Sequence, residues 1–143
     1  MRDYRGKRKD TGEWVNGSLS MEYFKECGCI MISPTSDLCY KVDPETVGEC
    51  TGIMGDFIQG EPKAGDLILR SFIYEGDIVE PVLTGGTHSG FSWGRQVVVF
   101  ARGAFCLKDR RGEITPMCNY SANVKFKVCG NIHDNPELLE VTE

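Results

Sequence analysis

The sequence predicts a mainly β protein in which short strands form antiparallel sheets. Three observations support this class. Glycine is abundant, at 17 of 143 residues, and glycine supplies the backbone conformations that tight turns require. Apolar residues come in short runs or alternate with polar residues, which is typical of strands. Strong helix formers make no long periodic run. We therefore expect roughly eight to ten short strands and almost no helix.

Length and composition suit one globular domain. Hydrophobic residues make up 41% of the chain and charged residues 26%, which is ordinary for a domain with a real core. We predict a single domain over residues 1–143, with a subdivision into a hairpin and sheet region, 1–50, and a β-barrel region, 51–143, as the alternative. The barrel would be small, and an SH3-like form is compatible with such short strands.

The first predicted element is a β-hairpin over residues 3–20. Its turn is indicated by Asp10–Gly12, because glycine adopts a positive φ at no steric cost. Before the turn, Arg5, Lys7 and Lys9 alternate with other residues and so share one face of a strand. The hairpin is therefore predicted to carry three cations along one side.

Two more strands are predicted next, Cys29–Ser33 and Leu38–Val42, and each stops shortly before a proline. Asp43 can cap a single helical turn that has Pro44 at its first position. A simple turn between strands fits the same residues equally well.

Three Gly-Asp pairs recur about ten residues apart, each followed by apolar residues, a spacing typical of successive short strands. We interpret them as turns that lead into strands and carry solvent-facing aspartates, in preference to a metal site. The pairs are Gly55-Asp56, Gly65-Asp66 and Gly76-Asp77.

The rest of the chain continues the β pattern. Thr84–Gly94 is rich in glycine and is predicted to be an exposed loop. Arg95–Phe105 and Glu113–Cys118 are predicted to pair around a turn at residues 109–112. Asn123–Gly130 alternates as a strand with one buried face. A short C-terminal helix is predicted after Asn135, which is a good N-cap and precedes a proline.

The formal net charge of −5 is unevenly distributed. Residues 1–9 hold five cations and one carboxylate, a net charge of +4, which leaves −9 on the remainder. A globally basic footprint for nucleic acid is therefore absent. Only the N-terminal segment offers a local one.

The cysteine count indicates a reducing compartment, and the short apolar runs argue against a membrane span. The seven cysteines are an odd number, and we expect no secretion signal; together these argue against a disulfide framework and favour buried, reduced thiols. No apolar run approaches the length of a membrane span, about 20 residues. We expect a cytoplasmic protein of a bacterial host cell, with no membrane partner.

The sequence lacks the residue patterns of a metal or catalytic site. Cys27 and Cys29 are one residue apart and have no second pair, unlike the usual zinc spacing. The two histidines, His88 and His133, stand beside no recognisable nucleophile motif. Gly85–Gly90 has the glycines of a phosphate-binding loop but not its lysine. We predict no catalytic residues, no metal, no cofactor and no enzymatic activity.

Four segments stand in a fixed order along the chain, namely Arg5–Lys9 leading into Gly12–Val15, Asp43–Gly48, Tyr74–Val79 and Gly130–Leu139. In this order they resemble the YopX family, small proteins carried mainly by phages and prophages. The resemblance implies a small, mostly β protein and is compatible with an oligomer. It assigns no catalytic role to any of these positions.

The chain departs from many of these relatives after the second segment. Residues 53–73 separate Thr51-Gly52 from Tyr74, where those relatives run quickly from one to the other. The insertion is long for a turn, and we expect extra strands or a protruding loop there.

The leading functional hypothesis is a protein-interaction or assembly module. A basic strand on an acidic body is complementary between copies, so we expect a homo-oligomer, with a host or phage protein as another partner class. Residues 1–24 would contribute to the interface, with Trp14, Tyr23 and Phe24 as anchors. The alternative is a nucleic-acid-binding accessory protein that uses the same basic strand. In both cases the candidate binding residues are Arg5, Lys7, Arg8, Lys9 and Trp14.

Overall fold

The computed structural model of the protein describes residues 3–20, 30–35, 38–57 and 69–139. Within these ranges the chain forms eleven strands and three single 3-10 turns, with no α-helix. The mainly β class is therefore confirmed. The chain divides into two compact units, Met1–Cys50 and Thr51–Glu143.

The strands follow the chain as short elements. The first unit contains β1 (Tyr4–Lys7), β2 (Trp14–Ser20), β3 (Ile30–Thr35) and β4 (Leu38–Val42). Strand β5 (Gly48–Phe57) starts in the first unit and continues into the second. The second unit then contains β6 (Leu69–Tyr74), β7 (Asp77–Leu83), β8 (Gln96–Ala101), β9 (Ala104–Lys108), β10 (Ile114–Pro116) and β11 (Val124–Asn131).

The first unit begins with the predicted hairpin. Strands β1 and β2 pair antiparallel, with Lys7 opposite Trp14, and Gly12 in the turn has a φ of 74°. Strand β3 then pairs with β2, and β4 pairs with β3. The other edge of β1 meets the first residues of β5, and Arg8 bridges Val42 at the end of β4. Strand β1 therefore has neighbours on both edges.

The core of the first unit determines which face of β1 carries its charges. Ile32 and Val42 are fully buried. Gly6 faces them closely, since a Cβ at this position would lie 3.0 Å from the Cβ of Val42. Because side chains alternate along a strand, Arg5 and Lys7 point to the opposite face.

The second unit is a sheet with the strand order β10-β9-β8-β7-β11-β5, and β6 also pairs with β5. Strands β11 and β5 pair in parallel, whereas β7 through β11 otherwise pair antiparallel. Gly55 packs against this core so tightly that a Cβ would lie 2.7 Å from Cγ1 of Ile73. The buried cluster consists of Ile73, Val79, Val98, Leu107, Met117 and Val128.

The predicted β-barrel is not found. In the described residues, the pairing of the second unit runs from β10 to β5 and β6 with no pairing that joins its ends, so the sheet is open. At one end, β10 has only three residues, and the chain leaves it at Pro116 for a 3-10 turn. Proline lacks the N–H that would extend a strand ladder.

The predicted C-terminal helix is replaced by a single 3-10 turn, Pro136–Leu139. The carbonyl of Asn135 accepts a hydrogen bond from the backbone N–H of Leu138 at 3.1 Å, and its side-chain Oδ1 accepts one from the backbone N–H of Asn131 at 3.4 Å. Four residues also gain few helical hydrogen bonds against the cost of helix nucleation.

The Gly-Asp pairs differ from the prediction in two ways. Gly55-Asp56 lies inside β5 and is not a turn. Asp77 does follow a turn, at Gly76, but it is only 1% exposed and not solvent-facing. Its carboxylate accepts a hydrogen bond from the backbone N–H of Tyr74 at 2.8 Å, which closes the turn. The pair Gly65-Asp66 is outside the described residues.

The strand predicted over Arg95–Phe105 is divided into β8 and β9 by a tight turn, in which Arg102 and Gly103 both have positive φ. By contrast, the strand Leu38–Val42, the turn near residues 109–112 and the strand after Asn123 are confirmed. Tyr23, Phe24, Cys27, Cys29 and residues 58–68 of the insertion lie outside the described residues.

Candidate functional site

Three of the five predicted binding residues come together on the hairpin. The antiparallel register places Trp14 opposite Lys7, and Arg5 lies on the same face two residues earlier. The Cζ of Arg5 is 4.7 Å from the centre of the Trp14 ring, and the Nζ of Lys7 is 5.5 Å from it. Both distances are within the range of cation–π attraction. We refer to Arg5, Lys7 and Trp14 as the hairpin cluster.

Arg8 lies apart from this cluster. Its guanidinium stacks over Tyr40, with Cζ 4.1 Å from the ring centre. Its Nε and Nη2 donate to the two carboxylate oxygens of Asp10 at 2.9 and 2.7 Å. The hydrogen bond from Arg8 is the main cause that lowers the pKa of Asp10. The charge of Arg8 is therefore compensated within the unit.

Lys9 lies in the turn after β1, so it does not continue the face of Arg5 and Lys7. It is exposed, and its backbone N–H donates to the carbonyl of Lys41 at 3.0 Å. The expectation of three cations along one strand face is therefore correct for the first two only.

Thr46 fixes the position of the hairpin cluster. Its Oγ1 accepts from the backbone N–H of Lys7 at 2.8 Å and donates to the carbonyl of Asp43 at 2.7 Å. The backbone N–H of Asp43 in turn donates to the carbonyl of Lys7 at 2.8 Å. Asp43 also caps the 3-10 turn Pro44–Thr46, which confirms the helical alternative for this segment.

The first unit is not basic in total. Its described residues contain five cations, namely Arg5, Lys7, Arg8, Lys9 and Lys41. They also contain six carboxylates, namely Asp3, Asp10, Glu13, Asp43, Glu45 and Glu49. The basic run is therefore surrounded by acidic groups, and the surface presents both signs of charge around an aromatic ring.

The second unit contains an aromatic arrangement that the sequence analysis did not identify. Phe91, Trp93, Tyr120 and Phe126 form a chain of edge-to-face contacts, with successive ring centres 5.0, 5.5 and 5.6 Å apart. Phe91 is 55% exposed and Trp93 is 41% exposed. A signal was present in the alternation of two aromatic residues within a glycine-rich loop, but their partners are distant in the sequence.

The described part of the chain contains neither a metal centre nor a membrane-spanning helix. No group of three or more His, Cys, Asp or Glu side chains is placed to hold a metal ion there. No helix in that part is long and apolar enough to cross a membrane.

The four segments that resemble one family contact each other in pairs. Asp43–Gly48 holds the first segment through Thr46, as described above. In the second unit, Asn131 pairs with Asp77, and the backbone N–H of Ile132 donates to the carbonyl of Gly76 at 2.9 Å. Each unit thus contains two segments that support one another structurally.

Comparison with known proteins places the chain in a family. No curated protein and no solved structure matches it. The family model described as YopX protein matches residues 3–140, nearly the whole chain. The protein therefore belongs to the YopX family.

Proposed function

We propose that the protein is a phage- or prophage-type accessory protein that acts as a protein-interaction or assembly module in the host cytoplasm. The observation that carries this proposal is the hairpin cluster, in which two cations hold a tryptophan on a surface of mixed charge. Tryptophan, tyrosine and arginine are the residue types most enriched at the energetic centres of protein interfaces.

The cluster is already ordered before a partner binds. Cation–π contacts restrict Trp14, and the hydrogen bond to Thr46 fixes the backbone at Lys7. Ordering side chains at an interface costs free energy, so a preordered surface loses less on association. This supports a binding role for the hairpin.

The partner that we propose is a second copy of the chain. The full chain carries a net charge of −5 while its first nine residues carry +4, so the basic segment of one copy is complementary to the acidic surface of another. Because β1 has neighbours on both edges, the contact would use side chains and not strand addition at β1.

Light scattering of a charge-reversed variant tests this proposal. Lys7→Glu combined with Lys9→Glu reverses two hairpin cations and leaves Arg5 intact, whose Nε is buried. We expect the measured mass to fall towards that of one chain, 15.9 kDa. Deleting the hairpin is a poorer test, since β1 pairs on both edges and its loss would disturb the whole unit.

The matched control is Arg110→Glu combined with Arg111→Glu. Both arginines are exposed in the turn before β10, and the substitution changes the net charge by the same amount. The control should keep the wild-type mass. A monomeric wild type, or equal masses for the hairpin variant and the wild type, would overturn the proposed self-association.

Nucleic-acid binding through the same basic strand is the competing outcome. Against it, Arg8 is bound by Asp10 and the described acidic residues of the unit outnumber the basic ones, which weakens attraction to phosphate. Nucleic acid that co-purifies with the wild type, seen in the ratio of absorbance at 260 and 280 nm, and that is lost in the hairpin variant, would favour this alternative.

A further inference from the structure

A small pocket lies beside the aromatic chain of the second unit. Its volume is about 400 Å³, at the small end of the range for ligand sites. One wall is the exposed ring of Trp93, and the others carry hydroxyl and amide groups. The lining residues are Trp93, Thr115, Asn119, Tyr120, Ser121 and Val124.

The aromatic wall is held in place by the strands behind it. The backbone N–H of Trp93 donates to the carbonyl of Pro81 at 3.1 Å, and the Ser92 hydroxyl donates to Glu80 at 2.7 Å. Gln96, only 5% exposed, extends its side-chain amide to the Trp93 carbonyl at 3.4 Å and the Tyr120 hydroxyl at 3.5 Å. Although Trp93 lies in a loop, these hydrogen bonds hold its backbone, and edge-to-face contacts with Phe91 and Tyr120 hold its ring.

The polar side chains of the pocket are neutral, and those of Thr115, Asn119 and Ser121 are available to a ligand. Within the described part of the chain, the hydroxyls of Thr115 and Ser121 make no hydrogen bond, and the amide oxygen of Asn119 receives only a long contact, 3.8 Å, from Cys118. Burial raises the pKa of Tyr120, so its hydroxyl also stays neutral at physiological pH. Each of these groups can accept a hydrogen bond and, as a hydroxyl or amide, also donate one.

We propose that this pocket binds a neutral saccharide, with one apolar face of a sugar ring stacked on Trp93 and its hydroxyl groups bound by Thr115, Asn119 and Ser121. The residues all belong to the second unit, and the proposal does not depend on the function proposed for the hairpin. A sugar ring presents C–H groups on its faces and hydroxyls around its edge, which matches an aromatic wall beside side chains that both donate and accept.

The geometry disfavours the other common occupants of aromatic pockets. A proline ring held between two aromatic faces needs about 7 Å between them, two contacts of about 3.5 Å each. Trp93 and Tyr120 instead touch edge to face, with ring centres 5.5 Å apart. Phosphate-bearing ligands are disfavoured because the carboxylate of Asp109 lies close enough to raise the pKa of Tyr120, after burial.

Isothermal titration calorimetry with glucose, N-acetylglucosamine and cellobiose tests the proposal. We expect saturable binding of at least one sugar with a millimolar dissociation constant, typical of such small ligands. Trp93→Ala should abolish it. Phe100→Ala, which removes another exposed aromatic side chain away from the pocket, should not change it, and glycerol at equal mass should give no saturable heat.

Two variants that keep the aromatic rings distinguish a loss of sugar binding from a loss of folding. Thr115→Val and Ser121→Ala leave both rings in place, and each should weaken binding by about three- to tenfold, the effect of one lost hydrogen bond. Affinity unchanged in both variants, or no saturable heat with any sugar up to about 100 mM, overturns the proposal. A decaproline peptide that binds in a Trp93-dependent manner while the sugars do not would show a peptide site instead.

Discussion

The two tryptophans of the chain are in opposite environments, Trp14 half-buried and Trp93 exposed. Trp14 on the hairpin is approached by two cationic side chains of its own unit. Trp93 in the second unit contacts other aromatic rings and neutral polar residues, and 41% of it is exposed. The same residue type therefore presents mixed charge in one place and a neutral ring face in the other. This difference suggests different ligands, a charged protein surface for the hairpin and an uncharged molecule for the pocket.

The largest effect is expected on the stability of the hairpin, when the hydrogen bond between the Thr46 hydroxyl and the backbone of Lys7 is removed. Thr46 is 6% exposed, and its hydroxyl binds the backbone N–H of Lys7. Thr46→Val keeps the side-chain shape but leaves that N–H without its partner, at a cost of about 1–3 kcal/mol in the free energy of unfolding. Urea unfolding, followed by Trp14 fluorescence in a Trp93→Phe background, measures this loss.

Thr46→Ser is the matched control, because it keeps the hydroxyl and removes only a methyl group. It should retain most of the stability that Thr46→Val loses. If both variants are destabilised equally, the methyl packing and not the hydrogen bond supports β1, and the account of a preordered hairpin is wrong.

A smaller effect should distinguish the two tryptophans directly. The chain has two tryptophans, so Trp14→Phe and Trp93→Phe each leave one. At constant ionic strength, the ratio of the iodide to the caesium quenching constant should be about two- to threefold higher for Trp14 than for Trp93, because Arg5 and Lys7 lie near the Trp14 ring and attract anions. Neutral acrylamide should quench Trp93 strongly. Equal iodide-to-caesium ratios for both would remove the electrostatic basis of the comparison.

The sequence predicted features that depend on neighbours in the chain. The hairpin follows from Gly12 and the strand alternation around it, and the strand Leu38–Val42 follows from its apolar run before Asp43-Pro44. These signals are local, so one sequence is enough to interpret them. The mainly β class follows from the same kind of evidence.

Features that depend on distant pairing were missed or wrong. Tyr120 reaches Trp93 only because β8, β9 and β10 fold the chain back between them, so the aromatic residues of the glycine-rich loop did not indicate which residues complete the pocket. Asp77 follows a predicted turn, yet it is only 1% exposed, at the start of a strand that has β8 on one edge and β11 on the other. Whether a set of strands closes into a barrel likewise depends on long-range pairing, which local periodicity does not encode.

The smallest expected effect concerns the charge of Arg8, a hairpin cation that lies outside the hairpin cluster. Its guanidinium holds the pKa of Asp10 below the ordinary carboxyl value, mainly through a side-chain hydrogen bond. In Arg8→Gln the pKa of Asp10, measured by an NMR pH titration, should rise towards its ordinary value. Lys9→Gln, which removes a neighbouring exposed cation, should change it much less.

The direction of the associated stability change follows from linkage. A carboxylate with a depressed pKa binds its proton more weakly in the folded chain than in the unfolded chain. The contribution of the Arg8–Asp10 pair is therefore present above the ordinary carboxyl pKa and is lost as the pH falls through the depressed value. Asp10 is 64% exposed, so the effect should be small and should weaken with added salt. An Asp10 pKa that is the same in the wild type and in Arg8→Gln would mean that Arg8 is not compensated, and all the basic hairpin residues would again have to be considered as one cationic surface.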